Sequence, residues 1–192
     1  MPKIVFKYSS VYDKTFRQFL GDTVKDYPSA RKIKNYMENV KKLRVKLEKQ
    51  TFLLIAKISH LKRKDEQISC YMIGKVRSFS DPLTIRLYKN KNDFIDTLIH
   101  ELIHQIIIQN REELKEYWKF LRKKFKNDST VTQNHIVLYA ILEELHPLLF
   151  KNQKRWKREV KRVSINPDYT KALEILRIEG GEKLKNDLIK RI

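Results

Sequence analysis

The chain has 192 residues, and its 42 lysines and arginines against 23 aspartates and glutamates give a formal net charge of +19. A hydrophobic fraction of 41% is enough for a sizeable core in one domain. The sequence has no apolar run long enough to span a membrane and no signal-peptide pattern, and its single cysteine, Cys70, excludes an internal disulfide and indicates a reducing cytoplasm.

The excess of positive charge has two interpretations. A strongly basic surface attracts nucleic acid, acidic proteins or anionic lipid. A lysine-rich proteome produces a similar composition without any such partner. Composition alone leaves both interpretations open.

Helices are predicted for most of the first 64 residues. A short strand over Ile4–Tyr8 precedes a helix over Val11–Leu20. Apolar residues then recur at steps of three and four, which predicts helices over Ser29–Glu48 and Thr51–Leu61. The basic turn Lys62–Asp65 marks an internal boundary.

Two strands are predicted after this turn. Side chains alternate between two faces over Gln67–Ile73, which is typical of a strand and places Cys70 on its core side. A loop over Gly74–Asp81 leads to a second strand, Leu83–Tyr88, and together they are expected to form a hairpin. Pro82 at the start of the second strand favours an edge position, because proline has no backbone N–H to donate.

An apolar helix follows the second strand. It is expected to begin with Asn92 or Asp93 as its cap and to end near Gln109. Glu101 is the only charged residue between positions 97 and 108. A helix this apolar belongs in the core, where polar side chains need partners or a metal ion.

This helix contains the pattern H-E-x-x-H. His100 and His104 are four residues apart, so they lie on one helix face and can bind one zinc ion. Glu101 lies about 100° further round the helix. It is therefore placed to take a proton from water at the metal. The alternative is a pair of core histidines bonded to backbone carbonyls.

A catalytic zinc ion requires a third protein ligand and an open position for water. Asn110 occupies the place where the metzincin spacing requires histidine. The next apolar helix, predicted over Thr132–Pro147, carries His135 near its start, and we expect this residue to be the third ligand. Glu143 and Glu144 on the same helix are the alternatives.

Tyr139 lies one turn after His135 on the same predicted face. Its hydroxyl is a candidate to stabilise an oxyanion during catalysis. The alternative role is that of a core tyrosine bonded to the backbone.

Three more helices complete the prediction. One covers Arg111–Lys126, and another, Asp168–Ile178, begins after the cap signal Asn166-Pro167. Gly180-Gly181 separates it from a last short helix. Between positions 150 and 163 the chain is densely basic, and the candidates for contact with nucleic-acid phosphates are Lys154, Arg155 and Arg158.

The stretch Thr97–Ile106 resembles the extended consensus of zincin metallopeptidases, with threonine three residues before the first histidine and an apolar residue two after the second. Asn134-His135 with Ala140 is similar to the glutamate helix of gluzincins, and the order of elements is similar to the small archaeal minigluzincins. The resemblance covers roughly Ile68–Leu145. It departs from the family at His135, which stands in place of glutamate.

The resemblance implies a zinc metallopeptidase in which His100 and His104 are ligands and Glu101 is the general base. The implied fold is α+β and mostly helical, with a short sheet or hairpin packed on the metal-binding helix. One domain is expected, with an N-terminal helical part (1–64), a metal-binding core (65–149) and basic C-terminal helices (150–192). The strand Leu83–Tyr88 would hold an extended peptide or protein substrate.

A second hypothesis is a nucleic-acid-associated basic protein whose zinc site is structural or regulatory. A fourth protein ligand would favour this hypothesis, whereas an open coordination position beside a groove would favour the enzyme.

A cytoplasmic location is expected, with no membrane partner. The substrate, the oligomeric state and the activity of the isolated chain do not follow from the sequence.

Overall fold

The computed structural model describes residues 3–19 and 26–192, without the side chains of residues 43–46. The fold is α+β and mostly helical, as predicted. The chain divides into two compact units, Met1–Lys49 with Asp65–Gln105, and Gln50–Lys64 with Ile106–Ile192. In chain order the elements are β1 (Lys3–Lys7), α1 (Ser10–Phe19), α2 (Ala30–Ser59), β2 (Gln67–Ile73), β3 (Phe79–Ser80), β4 (Leu83–Arg86), α3 (Lys91–Gln109), α4 (Lys115–Lys124), α5 (Thr130–Phe150), α6 (Lys154–Val163), α7 (Pro167–Glu179) and α8 (Gly181–Ile189).

The first unit contains a four-stranded mixed sheet in the order β1-β2-β4-β3. β1 and β4 both run parallel to β2, and β3 runs antiparallel to β4. The prediction of a hairpin between Gln67–Ile73 and Leu83–Tyr88 is therefore wrong, because these strands are parallel and the hairpin joins β3 to β4. The edge prediction is also wrong, because β4 lies between β2 and β3.

Apolar side chains cover the sheet. In β2 the side chains of Ile68, Cys70 and Met72 are buried, as the alternation predicts. On α3 the ring of Phe94 lies 6.0 Å from Phe6 of β1. The sheet thus forms the core of the first unit, and α3 begins directly against it.

Helix α1 lies against β2 and is joined to the sheet by Tyr12. The ring of Tyr12 is 5.0 Å from that of Tyr71, and its hydroxyl is 2.8 Å from Thr84 Oγ1. The helix begins at Ser10, and the predicted end at Leu20 lies outside the described residues.

Helix α2 is continuous over 30 residues, where two helices were predicted. No glycine or proline occurs between Ala30 and Ile73, so the polar residues near position 50 do not break it. The helix ends at Ser59, two residues before the predicted end at Leu61, and is followed by His60, whose φ of 59° is left-handed.

The second unit is arranged around α5, which contacts α6, α7 and α8. Ser129 caps α5 by accepting a hydrogen bond from the backbone N–H of Thr132. Pro147 lies inside the last turn of α5, and the helix continues to Phe150, three residues beyond the predicted end at the proline.

The remaining helices follow their local signals. Asn166 caps α7 and Pro167 occupies its first turn, as predicted. Gly180, with a φ of 83°, separates α7 from α8. Helix α4 is shorter than the predicted Arg111–Lys126, because residues 110–114 form turns.

Over the described ranges, no helix has the length and apolar character needed to cross a membrane.

Candidate metal centre

Helix α3 presents the H-E-x-x-H residues. The Asn90 side chain accepts a hydrogen bond of 2.8 Å from the backbone N–H of Asn92, and the Asn90 carbonyl accepts one from Asp93. The cap is therefore Asn90 and not Asn92 or Asp93, because the helix already begins at Lys91. Its end at Gln109 is as predicted.

The two histidines of α3 lie side by side. Their ring centroids are 5.1 Å apart, at an interplanar angle of 63°. His100 is 6% exposed, Glu101 is 8% exposed and His104 is half-buried. One turn of helix thus holds two imidazoles and a carboxylate away from bulk solvent.

His135 is held on α5 with a defined tautomer. Its Nδ1 lies 2.8 Å from the carbonyl oxygen of Val131. A carbonyl only accepts hydrogen bonds, so Nδ1 carries the proton, and in the neutral ring Nε2 carries the lone pair. A hydrogen bond from the other ring nitrogen is the usual way in which proteins orient a metal-binding histidine.

His100, His104 and His135 form a cluster that could hold a metal ion. One ligand atom from each residue lies within 4.8 Å of the other two. Nitrogen ligands at about 2.0–2.1 Å from a tetrahedral zinc ion are about 3.4 Å apart, which falls within this limit. The donor set fits a divalent transition metal, since neutral imidazoles bind zinc, copper, iron and nickel.

The other proposed ligands are placed elsewhere. Glu144 forms an ion pair with Lys185 of α8. Glu143 is exposed as a residue, but the desolvation of its carboxyl by neighbouring atoms raises its pKa, an effect that the charge of Lys185 opposes. Asn110 donates its amide hydrogens to the carbonyls of Lys62 and Ile106. In the described part of the chain, no carboxylate or cysteine joins the three histidines.

Two aromatic rings lie against His135. The Tyr139 ring is 5.5 Å away and fully buried. The ring of Tyr169 on α7 is closer, at 4.2 Å with an interplanar angle of 32°. Sequence reasoning missed Tyr169, because it lies on another helix and no spacing connects it with His135.

Asp96 was also missed. It is 1% exposed and lies four residues before His100, on the same face of α3. The signal was present in the sequence as a carboxylate one turn from a candidate ligand. Next to it, Thr97 donates a hydrogen bond of 3.0 Å to the hydroxyl of Tyr88.

The three predicted phosphate-binding residues lie on α6. Lys154 is exposed and Arg158 is half-buried. The guanidinium of Arg155 lies over the ring of Phe150, 3.7 Å from its centroid. Arg155 is therefore placed for packing, and it does not share the exposed face of Lys154.

No family description, curated protein or solved structure matches this chain.

Proposed function

We propose that the chain is a zinc-dependent metallopeptidase. The observation that carries this proposal is the cluster of His100, His104 and His135, with Glu101 beside the first histidine on the same helix. Three histidines leave one position of a tetrahedral site for water, as catalytic zinc sites require.

The three histidines would bind the metal through ring nitrogens. When bound, zinc supplies a Lewis acid that polarises a carbonyl and lowers the pKa of water. The hydrogen bond between His135 and Val131 holds one ring in its metal-binding tautomer before the ion arrives. The rings of His100 and His104 are positioned by one turn of α3.

Glu101 would move the proton. It is the only charged residue from position 97 to position 108, and it directly follows His100. It takes a proton from the attacking water and returns it to the leaving amine, as a general base and then a general acid. Its burial strengthens its interaction with charge that develops during the reaction.

The edge strand β3 supports an extended peptide as substrate. The Gln105 side chain donates a hydrogen bond to the carbonyl of Ser80, which joins β3 to α3 one residue after His104. An extended peptide can pair with such an edge through its backbone. In this proposal β3 takes the role that the sequence assigned to Leu83–Tyr88.

The test pairs two substitutions on α3. Glu101→Gln keeps the size of the side chain but removes the proton acceptor, so cleavage of an unfolded protein should fall at least about a hundredfold. Its zinc content should stay near one ion per chain. His104→Ala should lose zinc and cleavage together. The control is His60→Asn at the end of α2, which should retain both.

Two results would contradict the proposal. If wild type and Glu101→Gln cleave equally well, Glu101 is not the base. If protein purified with zinc in the medium carries less than about a tenth of an ion per chain, the three histidines are not a zinc site. A structural zinc site would also keep its metal in Glu101→Gln, but the wild type would have no cleavage activity.

A further inference from the structure

Helix α6 has a face made of positive side chains only. Lys154, Lys157 and Lys161 are exposed, and Arg158 lies one turn after Lys154. With about 100° of rotation per residue, these four side chains fall within an arc of about 100°. They form a continuous row along the helix, called here the cationic face.

The opposite face fixes this orientation. Val163 is 7% exposed, and Glu159 is 1% exposed and forms an ion pair of 2.6 Å with Arg162. The Trp156 ring packs 6.2 Å from the rings of both Tyr139 and His146 on α5. The cationic face is therefore held outward by the packing of α6 on α5.

The three exposed lysines of this face, Lys154, Lys157 and Lys161, are not neutralised by neighbouring carboxylates among the described residues. Of the ion pairs in the described part of the chain, none includes Lys154, Lys157 or Lys161. Helix α4 differs, because its Lys115 and Lys119 pair with Glu112 and Glu116. The charge of these three lysines is thus not balanced by ion pairs on α6.

We propose that the cationic face binds the phosphate backbone of double-stranded nucleic acid without reading its sequence. A row of lysines fits a polyanion with regularly spaced charges. A helix that inserts into a membrane surface needs an exposed apolar face, and the apolar face of α6 is used for packing. Single-stranded nucleic acid is bound by exposed aromatic rings, whereas the half-buried Trp156 packs against Tyr139 and His146.

An acidic protein is a weaker fit. Protein interfaces are usually centred on buried apolar or aromatic anchors surrounded by a polar rim. The cationic face provides no such anchor, because each of its four residues is lysine or arginine. Phosphate contacts need none, since their affinity comes largely from released counterions.

The experiment measures binding of the full chain to two unrelated 20-base-pair duplexes by fluorescence anisotropy over a salt series. Four phosphate contacts predict a slope of about −3.6 in log affinity against log salt. The affinity should therefore fall on the order of a hundredfold between 50 and 200 mM salt, equally for both duplexes. The triple variant Lys154→Glu/Lys157→Glu/Lys161→Glu should bind at least about tenfold more weakly, with a slope reduced by about three.

The matched control is Lys115→Glu/Lys119→Glu/Lys123→Glu on α4, which changes the net charge by the same amount. It should bind the duplex within about threefold of wild type. Glu101→Gln should bind like wild type, so this surface is tested separately from the proposed peptidase activity. Thermal melts of each variant check that the fold is retained.

Three outcomes would overturn the proposal. Equal losses in the two triple variants would show attraction to bulk charge alone. Tighter binding to anionic vesicles or to single-stranded oligonucleotides than to duplex would assign another partner. An absence of duplex binding at 50 mM salt would remove nucleic acid altogether.

Discussion

Asp96 is a buried carboxylate close to the proposed metal ligands. It is buried on α3 one turn before His100, on the same face. Carboxylates near metal-binding histidines fix the ring orientation and raise the basicity of the ligand. We expect Asp96 to act on metal affinity and not on the proton transfer assigned to Glu101.

This expectation can be measured by competition with a zinc chelator of known affinity. Asp96→Asn should lower the affinity for zinc by about 10- to 100-fold while keeping the shape of the side chain. Asp93→Asn is the control, because Asp93 lies in the first turn of α3. Its charge interacts favourably with the positive end of the helix dipole, so its loss should not change the affinity for zinc. An affinity that is unchanged in Asp96→Asn would show that Asp96 serves only the core.

Single residues were predictable where their signal is local. His100, His104 and Glu101 share one helical turn, so their spacing alone predicts a common location. His135 required a chemical argument, namely that catalytic zinc needs a third ligand, and the structure brings it to the other two. Tyr169 was beyond prediction, because its contact with His135 depends on how α7 packs on α5.

Among the elements, α5 depends on its first turn. Ser129 accepts a hydrogen bond of 3.0 Å from Thr132 and also donates one to the Asp168 side chain at the start of α7. One hydroxyl therefore caps α5 and connects two helices of the second unit. Removing it should weaken both helix starts.

Ser129→Ala should lower the free energy of unfolding by about 1–2 kcal/mol, the range observed for lost caps. Urea titration followed by circular dichroism measures this loss. Ser164→Ala is the control, since its hydroxyl bonds only to the Val160 carbonyl at the exposed end of α6 and should cost less than about 0.5 kcal/mol. Equal losses of unfolding free energy in the two variants would show that the Ser129 cap contributes no more than an ordinary surface hydroxyl.

Elements with strong local signals were predicted well. The alternation in β2 and the cap before α7 gave their starts within a residue. The edge strand was missed, because Phe79 and Ser80 are too few to show any periodicity. They become a strand only through pairing with Leu83 and Thr84, which is a tertiary contact.

For the whole molecule, the metal should act as a stabilising ligand. A free zinc concentration of about a hundred times Kd should raise the free energy of unfolding by about 2.7 kcal/mol. In a chain of 192 residues this corresponds to a rise in Tm of roughly 5–10 °C. Melts with zinc and with a chelator measure the difference.

The same melts identify the ligands. His135→Ala should lose most of this zinc-dependent shift, whereas His60→Asn should keep it. A shift of equal size in all three proteins would mean that zinc binds elsewhere.

Net charge is a property of the whole chain that composition could not interpret. The sequence counts lysines but does not show which of them have acidic neighbours. In the structure, Lys115 and Lys119 of α4 pair with glutamates three positions earlier, while α6 places its lysines on one outward face. Binding measurements on variants of α6 therefore decide whether the excess charge binds a partner or reflects only a lysine-rich composition.

The position of β1 has a consequence for biosynthesis. Lys3 of this strand pairs with Gln67 of β2, so β1 leaves the ribosome long before its partner exists. At about 5–20 residues per second, the delay is roughly 3–13 seconds. During this time Ile4, Val5 and Phe6 form a short hydrophobic segment with high strand propensity and no native neighbour. Lys3 and Lys7 flank this segment on both sides, and we expect these two charges to act as gatekeepers that keep nascent chains from aggregating until the sheet closes.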